Sequence, residues 1–242
     1  MIGFQIFNPS GQMVMSSNTK STRCLGKASH VQTVQPTGVV GMASSRVSGY
    51  SVYTFSHNAP VLWGIDLPVG RKVGISTSSY RNGVHTIEVY CGDSPDNDGF
   101  DAQYPVDVWA FGTGVSPSGN YGIQLFSTSG ILTHDLALPN ISFPVAVGEI
   151  GTSSQVPAGV GRPISVGTSP FVRIRYTNID PDNESNGYYT TQTRNFVMRD
   201  SGNVVAYYEG TINKRTSPGF KPADNTISFP STFFVSEGIL LP

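Results

Sequence analysis

The sequence predicts an all-β protein, because turn residues are frequent, apolar residues alternate with polar ones, and helical periodicity is lacking. Gly occurs 27 times and Pro 17 times in 242 residues. In a helix interior they would cost about 1 and 3 kcal/mol per residue, respectively. The longest stretches free of both, residues 12–25 and 188–201, lack the i, i+3, i+4, i+7 apolar spacing of an amphipathic helix.

Alternating runs and turn signals predict individual strands. Residues 87–91 read Ile-Glu-Val-Tyr-Cys and residues 172–176 read Val-Arg-Ile-Arg-Tyr. Successive side chains of a strand point to opposite faces, so each run predicts one buried and one solvated face. Asn82-Gly83 is a two-residue hairpin signal, since both residue types tolerate positive φ. Residues 200–203 (Asp-Ser-Gly-Asn) separate two further apolar runs and predict a second hairpin.

An internal echo predicts how the chain is divided. Residues 3–11 read Gly-Phe-Gln-Ile-Phe-Asn-Pro-Ser-Gly, and residues 122–130 read Gly-Ile-Gln-Leu-Phe-Ser-Thr-Ser-Gly. Each copy predicts a strand, a polar turn ending in Gly, and a returning strand. The echo favours two tandem antiparallel β-sandwich-like domains, residues 1–114 and 120–242, joined by a Gly- and Ser-rich linker. The alternative is that two unrelated hairpins share similar turn chemistry.

Charge and cysteine content exclude several classes of function. Charged residues make up 13% of the chain, against about 25% in a typical domain, and the net charge is −1. No basic surface is expected, so nucleic acid is not a predicted partner. Low net charge does little to oppose association. Cys24 and Cys91 are predicted to be small buried residues, although a bridge between them stays open. No metal or cofactor is predicted, because no Cys/His cluster has ligand spacing.

The N-terminal residues and the hydropathy pattern predict a protein made in the cytoplasm. Residues 1–5 lack the basic segment followed by an apolar run that marks a secretory signal. No stretch approaches the roughly 20 apolar residues of a membrane helix.

The opening of the chain resembles that of small β-rich proteins encoded among the tail genes of long-tailed bacteriophages and prophages. The residues that carry the resemblance are 3–8, Gly11 and 13–15, with the second copy extending it. Such proteins often have an Asp shortly after the turn, whereas here Ser16-Ser17 follow the first turn and only the second has Asp135. The resemblance implies a structural subunit of the virion tail, at the tip, baseplate or fibre. Its partners would be other virion tail proteins and further copies of itself, for example in a trimer.

Two short motifs suggest hydrolases but lack the required context. Gly92-Asp93-Ser94 resembles the serine region of trypsin-like proteases, yet Pro95 follows and removes a backbone donor from the oxyanion region. His57 also lacks that family's Ala-Ala-His-Cys surroundings. Residues 200–202 match the Asp-Ser-Gly of aspartic proteases, which need two facing carboxylates, but the motif occurs once. No nucleophile elbow, Walker loop or dinucleotide motif is present. The chain is therefore predicted not to be an enzyme.

Two acidic loops and two tyrosine pairs are candidates for binding. Residues 93–101 and 180–184 carry oxygen side chains that could bind calcium, but neither has EF-hand spacing, and such residues also dominate ordinary turns. Tyr188-Tyr189 and the pair at 207–208 could stack on sugar rings. In a strand, paired tyrosines more often place one ring in the core and one at the surface. Four histidines are scattered without ligand spacing, namely His30, His57, His85 and His134.

Together these features favour a virion structural protein that acts by protein–protein assembly. The alternative is a receptor- or carbohydrate-binding module that contacts a host surface receptor or glycan through residues 93–101 or 180–189. A third reading is a hydrolase of unfamiliar design.

Overall fold

A computed structural model describes most of the two β-rich halves of the chain. The described residues are 5–7, 13–16, 22–37, 46–92, 102–113, 124–127, 129–130, 132–135, 146–149, 151–156, 163–167, 172–179, 182, 187–222 and 232–237.

The described residues form strands and turns and contain no helix, which confirms the all-β prediction. The strands are β1 (Gln5–Phe7), β2 (Met13–Ser16), β3 (Arg23–Lys27), β4 (Ser29–Val34), β5 (Arg46–Val47), β6 (Tyr50–Ser56), β7 (Val61–Asp66), β8 (Lys72–Arg81), β9 (Val84–Gly92), β10 (Val108–Gly112), β11 (Gln124–Phe126), β12 (Leu132–Asp135), β13 (Ala146–Glu149), β14 (Ser153–Gln155), β15 (Pro163–Gly167), β16 (Val172–Asn178), β17 (Tyr188–Arg199), β18 (Val204–Ser217) and β19 (Thr232–Glu237).

Two antiparallel sheets pack on one another. Among the described residues, a six-stranded sheet has the order β13-β19-β15-β7-β10-β3. A nine-stranded sheet has the order β14-β18-β17-β8-β9-β6-β4, with β16 paired to β17 and β5 paired to β18. The main core cluster lies between the sheets, and its largest buried members include Trp63, Tyr53 and Tyr207. Inward-facing apolar side chains from both sheets interdigitate there, as in a β-sandwich.

Both predicted hairpin tips are confirmed. Asn82 and Gly83 have φ of 51° and 80° and join β8 to β9, with Arg81 paired to Val84. Residues 200–203 join β17 to β18, and Asn203 takes the positive φ of 59°. There the Asp200 Oδ1 accepts hydrogen bonds from the backbone N–H groups of Gly202 and Val204, each at 2.8 Å.

The alternation predicted for residues 87–91 is only half right. Ile87, Val89 and Cys91 face the core and are buried, as expected. Tyr90 on the opposite face is also buried, because Phe196 of the long β17–β18 hairpin packs against it with the two ring centroids 6.2 Å apart. Residues 172–176 lie in strand β16 as predicted.

The strands do not pair as two separate domains with a boundary between residues 114 and 120. In the six-stranded sheet β15 pairs with β7, and in the nine-stranded sheet β17 pairs with β8. The main core also combines Trp63 and Ile65 from the first segment with Val197 and Tyr207 from the second. Without β15, β7 would be an open sheet edge, which proteins avoid. In the described residues the two segments therefore complete each other's sheets.

Candidate functional site

Two hairpins stand outside both main sheets, and they are the two copies of the sequence echo. In the first, Gln5 pairs with Ser16 and Phe7 with Met13, with a bulge between Ile6 and Phe7. In the second, Gln124 pairs with Asp135 and Phe126 with Leu132, with a bulge between Leu125 and Phe126. Each pairing and each bulge recurs at the same offset of 119 residues, so the two hairpins share one backbone design.

Each of these hairpins is a two-stranded sheet that pairs with no other strand among the described residues. In the second hairpin the Phe126 side chain at the bulge is 49% exposed. Phe7 occupies the same register position in the first hairpin. A bulge re-aims the side chain at its position, and here that position carries phenylalanine in both copies.

A cleft of about 520 Å³ opens at one end of the sandwich. Three connections between the two sheets meet there: the β3–β4 step at Ala28, the β7–β8 connection, and residues 102–107, which lead into β10. The lining residues are Lys27, Ala28, His30, Tyr53, Asp66, Pro68, Arg71, Pro105, Val106 and Asp107. Its volume lies within the roughly 300–1,000 Å³ typical of small-ligand sites.

Backbone hydrogen bonds fix the walls of this cleft. The Ala28 N–H donates to the Val108 carbonyl at 2.8 Å, and the Asp66 N–H donates to the Asp107 carbonyl at 3.0 Å. The Val106 N–H donates to the Tyr53 hydroxyl oxygen at 2.8 Å. Burial raises the pKa of Tyr53, and the hydrogen bond from Val106 opposes that rise. The shape of the cleft is thus set by hydrogen bonds within the fold.

Gln103 anchors the third wall. Its side chain is buried, and its Oε1 accepts from the Cys91 N–H at 3.0 Å. Its Nε2 lies within hydrogen-bonding distance of the Ser51 hydroxyl and of the carbonyl oxygens of Val89 and Tyr104. The Gln103 main chain is held separately by a reciprocal pair of hydrogen bonds with the Gln35 amide, each at 3.1 Å.

Charged groups of both signs are held in place around the cleft. The Lys27 ammonium lies 2.6 Å from a carboxylate oxygen of Asp107, and both side chains are partly exposed. The Arg71 guanidinium stacks over the Tyr104 ring, 3.7 Å from its centroid. The His30 ring meets Tyr53 edge-on, with the centroids 5.3 Å apart. Stacking and ion pairing restrict these long side chains, so the cleft presents them in defined positions.

A second polar cluster lies on the outer face of the nine-stranded sheet, where Tyr90 and Phe196 are buried. The Ser76 hydroxyl donates to a Glu88 carboxylate oxygen at 3.2 Å. Desolvation lowers the pKa of the buried Arg194, while the nearby Tyr90 and Glu88 oppose that shift. The buried position of this cluster suits it to holding β17 against β8 and β9 within the nine-stranded sheet.

The sequence did not single out Lys27, Asp66, Arg71, Gln103 or Asp107. They lie in three separate segments of the sequence. These segments meet at the cleft end of the sandwich only because the chain passes from one sheet to the other in each of them. The local signal was limited to Pro and Gly beside strand ends, which is common to ordinary turns.

The trypsin-like motif lies partly outside the described residues. The His57 backbone N–H donates to the Gly83 carbonyl, beside the start of β9. Gly92 ends β9, and Asp93 and Ser94 lie outside the described residues. Asp200 serves as a turn residue, as expected.

The acidic loops fall largely outside the described residues. All of residues 93–100 and Asp101 do so, and of residues 180–184 only Asp182 is described, with an exposed side chain. Among the tyrosines, Tyr207 is buried and Tyr208 is half-buried, as predicted for a pair on a two-sided strand. Tyr188 is half-buried and meets Tyr176 edge-on at 5.7 Å between centroids.

Cysteines and histidines are dispersed in the described part of the chain. Cys24 and Cys91 are both buried and form no disulfide with each other, so the expectation of small buried residues is confirmed. Burial raises the pKa of the Cys24 thiol. His85 is buried with its Nε2 2.9 Å from the Ala59 carbonyl oxygen, and His30 is exposed. No group of three or more His, Cys, Asp or Glu side chains that could hold a metal ion occurs among the described residues. The part of the chain that the structure describes also contains no helix suited to crossing a bilayer.

Comparison with known proteins identifies no relative. No protein-family model matches the chain, and neither a curated protein nor a solved structure matches it significantly.

Proposed function

We propose that this chain is a structural subunit of a larger protein assembly and that it acts by docking, without catalysis. In its most specific form the proposal places the chain in the tail of a long-tailed bacteriophage, at the tip, baseplate or fibre. That form is suggested by the resemblance of residues 3–15, a stretch that includes β1 and most of β2.

The observation that supports docking is the pair of equivalent hairpins. A two-stranded hairpin alone is at best marginally stable in water. Here two such hairpins share their register and bulge, pair with no further described strand, and carry phenylalanine at the bulge. Fully burying an exposed aromatic side chain contributes about 1.5–3 kcal/mol. Phe126 is 49% exposed, so covering it with a partner surface would contribute roughly half of that. We infer that both hairpins dock against neighbouring subunits.

Composition is consistent with such a role. A net charge of −1 and 13% charged residues leave little electrostatic repulsion between copies. Closed cyclic symmetry is the usual form of soluble homo-oligomers, and we propose a homo-oligomer, with a trimer as the first arrangement to test. Residues 93–101 and 180–189, considered above for receptor or carbohydrate binding, lie partly outside the described residues and add no support.

The proposal is tested with Phe126→Ser and a matched control, Phe220→Ser. Phe220 is 74% exposed and lies outside both hairpins, so its loss should leave assembly unchanged. Light scattering measures the mass of the purified chain, and mass spectrometry of purified virions measures its incorporation. We expect Phe126→Ser to lower the oligomer mass or the incorporation, and Phe220→Ser to alter neither. A wild-type chain that is monomeric at every concentration and missing from virions would overturn the proposal.

A further inference from the structure

We propose that the cleft at the end of the sandwich is a binding site for a neutral saccharide. This site is separate from the hairpins, because none of its described lining residues belongs to either of them. It therefore adds a ligand-binding activity to the assembly role.

The cleft is chemically unlike the rest of the protein. Four of its ten described lining residues are Lys, Arg or Asp, against 13% for the whole chain. In ligand sites a small number of placed polar or charged groups fixes the orientation of the ligand. The two cations are Lys27 and Arg71, and the two carboxylates are Asp66 and Asp107.

The balance of charge indicates a neutral ligand. An anion such as a phosphate or a sialylated glycan would meet two carboxylates, and a cation would meet Lys27 and Arg71. Hydroxyl groups avoid both conflicts, because each is a donor toward a carboxylate and an acceptor from an ammonium or guanidinium. Vicinal hydroxyls on a sugar ring present both functions side by side, and the Lys27–Asp107 pair, 2.6 Å apart, presents the complementary set.

The apolar part of the lining suits the other face of a sugar ring. Ala28, Pro68, Pro105 and Val106 contribute carbon surface between the charged groups. A pyranose has a C–H face as well as its hydroxyl rim, so a lining of mixed character matches it better than it matches a fully polar ion. The partial exposure of Lys27 and Asp107, 52% and 33% of their side chains, leaves both accessible to a ligand from solvent.

Preorganisation strengthens the inference. The cleft walls are fixed by the hydrogen bonds of Ala28, Asp66 and Val106, and Gln103 secures the segment that supplies Pro105 to Asp107. A ligand would therefore meet groups already in place, which reduces the entropy lost on binding.

The first experiment is an array of neutral, sialylated and phosphorylated glycans probed with the full-length chain, with free amino acids tested by calorimetry. We expect binding to neutral glycans. Binding only to the anionic glycans, only to amino acids, or to none of these probes would overturn the proposal.

Variants then locate the site by titration calorimetry with the neutral oligosaccharide that binds best. Lys27→Gln and Asp107→Asn should each weaken binding by about tenfold or more, since each removes a charged hydrogen-bonding partner. The matched controls are Lys221→Gln and Asp182→Asn, which change exposed residues outside the cleft. An unchanged affinity in both cleft variants, or an equal loss in the controls, contradicts the assignment.

Two further readouts keep the result interpretable. Thermal unfolding of each variant shows whether it is folded, and Lys27→Gln is the safer variant because its side chain is half exposed. Light scattering on the same samples reports assembly, so a failure of saccharide binding is distinguished from a failure of docking.

Discussion

Replacing Gln103 with methionine should destabilise the protein by about 3 kcal/mol. The two side chains have similar size, so the change leaves little cavity and mainly removes hydrogen bonds. The Cys91 N–H loses its side-chain acceptor, and an unsatisfied buried donor costs about 1–3 kcal/mol. The carbonyls of Val89 and Tyr104 and the Ser51 hydroxyl lose a shared donor. We assign about 1 kcal/mol to these acceptors, because Ser51 also bonds Thr33.

The assay is thermal and urea unfolding of wild type and Gln103→Met beside Gln155→Met. Gln155 is exposed, with its Nε2 3.1 Å from the Gly202 carbonyl oxygen. Gln155→Met therefore makes the same substitution at a solvent-exposed position. For a chain of this length, 3 kcal/mol corresponds to a fall of roughly 6–12 °C in Tm. The control should change by less than about 1 kcal/mol. Equal effects at the two sites would refute the assignment of Gln103 as a buried anchor, as would an unchanged Tm for Gln103→Met.

Three further predictions concern turns, thiols and pH. Gly83→Ala should lower the free energy of unfolding by about 1–2 kcal/mol, because Gly83 has φ of 80°. Gly202→Ala, in the other hairpin turn, should be nearly neutral. Denaturant unfolding compares the two variants, and equal losses of stability would contradict the turn geometry. Cys24 and Cys91 should react with a thiol reagent only after unfolding, since both are buried thiols outside any disulfide; rapid labelling of the native chain would contradict this. Burial raises the pKa of three tyrosines, namely Tyr53, Tyr90 and Tyr207. The unfolded chain releases these protons near pH 10 while the folded chain retains them, so stability should be full below that pH and fall as the pH rises above it. In the native protein, tyrosinate absorbance should show a group of tyrosines that ionise above the usual pH of about 10. Ionisation of every tyrosine near pH 10, without unfolding, would contradict the raised pKa values.

Local features of the fold could be predicted, because their determinants are adjacent in the chain. Asn82-Gly83 specifies a hairpin by its own backbone preferences, and the residues facing it need only continue as strands. The two echoing hairpins share a register because both carry the same turn pattern. In each case the interacting residues are a few positions apart.

The pairing of distant strands could not be predicted in this way. Ile164 pairs with Asp66 and Val197 with Val73, and an apolar strand pattern gives no indication of which distant edge it will meet. The same limit applies to Tyr90, whose outward face is covered by Phe196 from the second half. It applies equally to the cleft, where Lys27, Asp66 and Asp107 come together only after both sheets have formed.

The exchange of strands between the two halves has a consequence for synthesis of the chain. When residues 1–114 have left the ribosome, β7 and β8 still lack β15 and β17, and part of the shared core is missing its second-half members. The nascent chain must therefore carry two open edges until β15 and β17, which end at Gly167 and Arg199, have been made. Folding should wait for contacts between distant positions, which slows it, and the waiting intermediate would be the species most exposed to aggregation or most dependent on a chaperone.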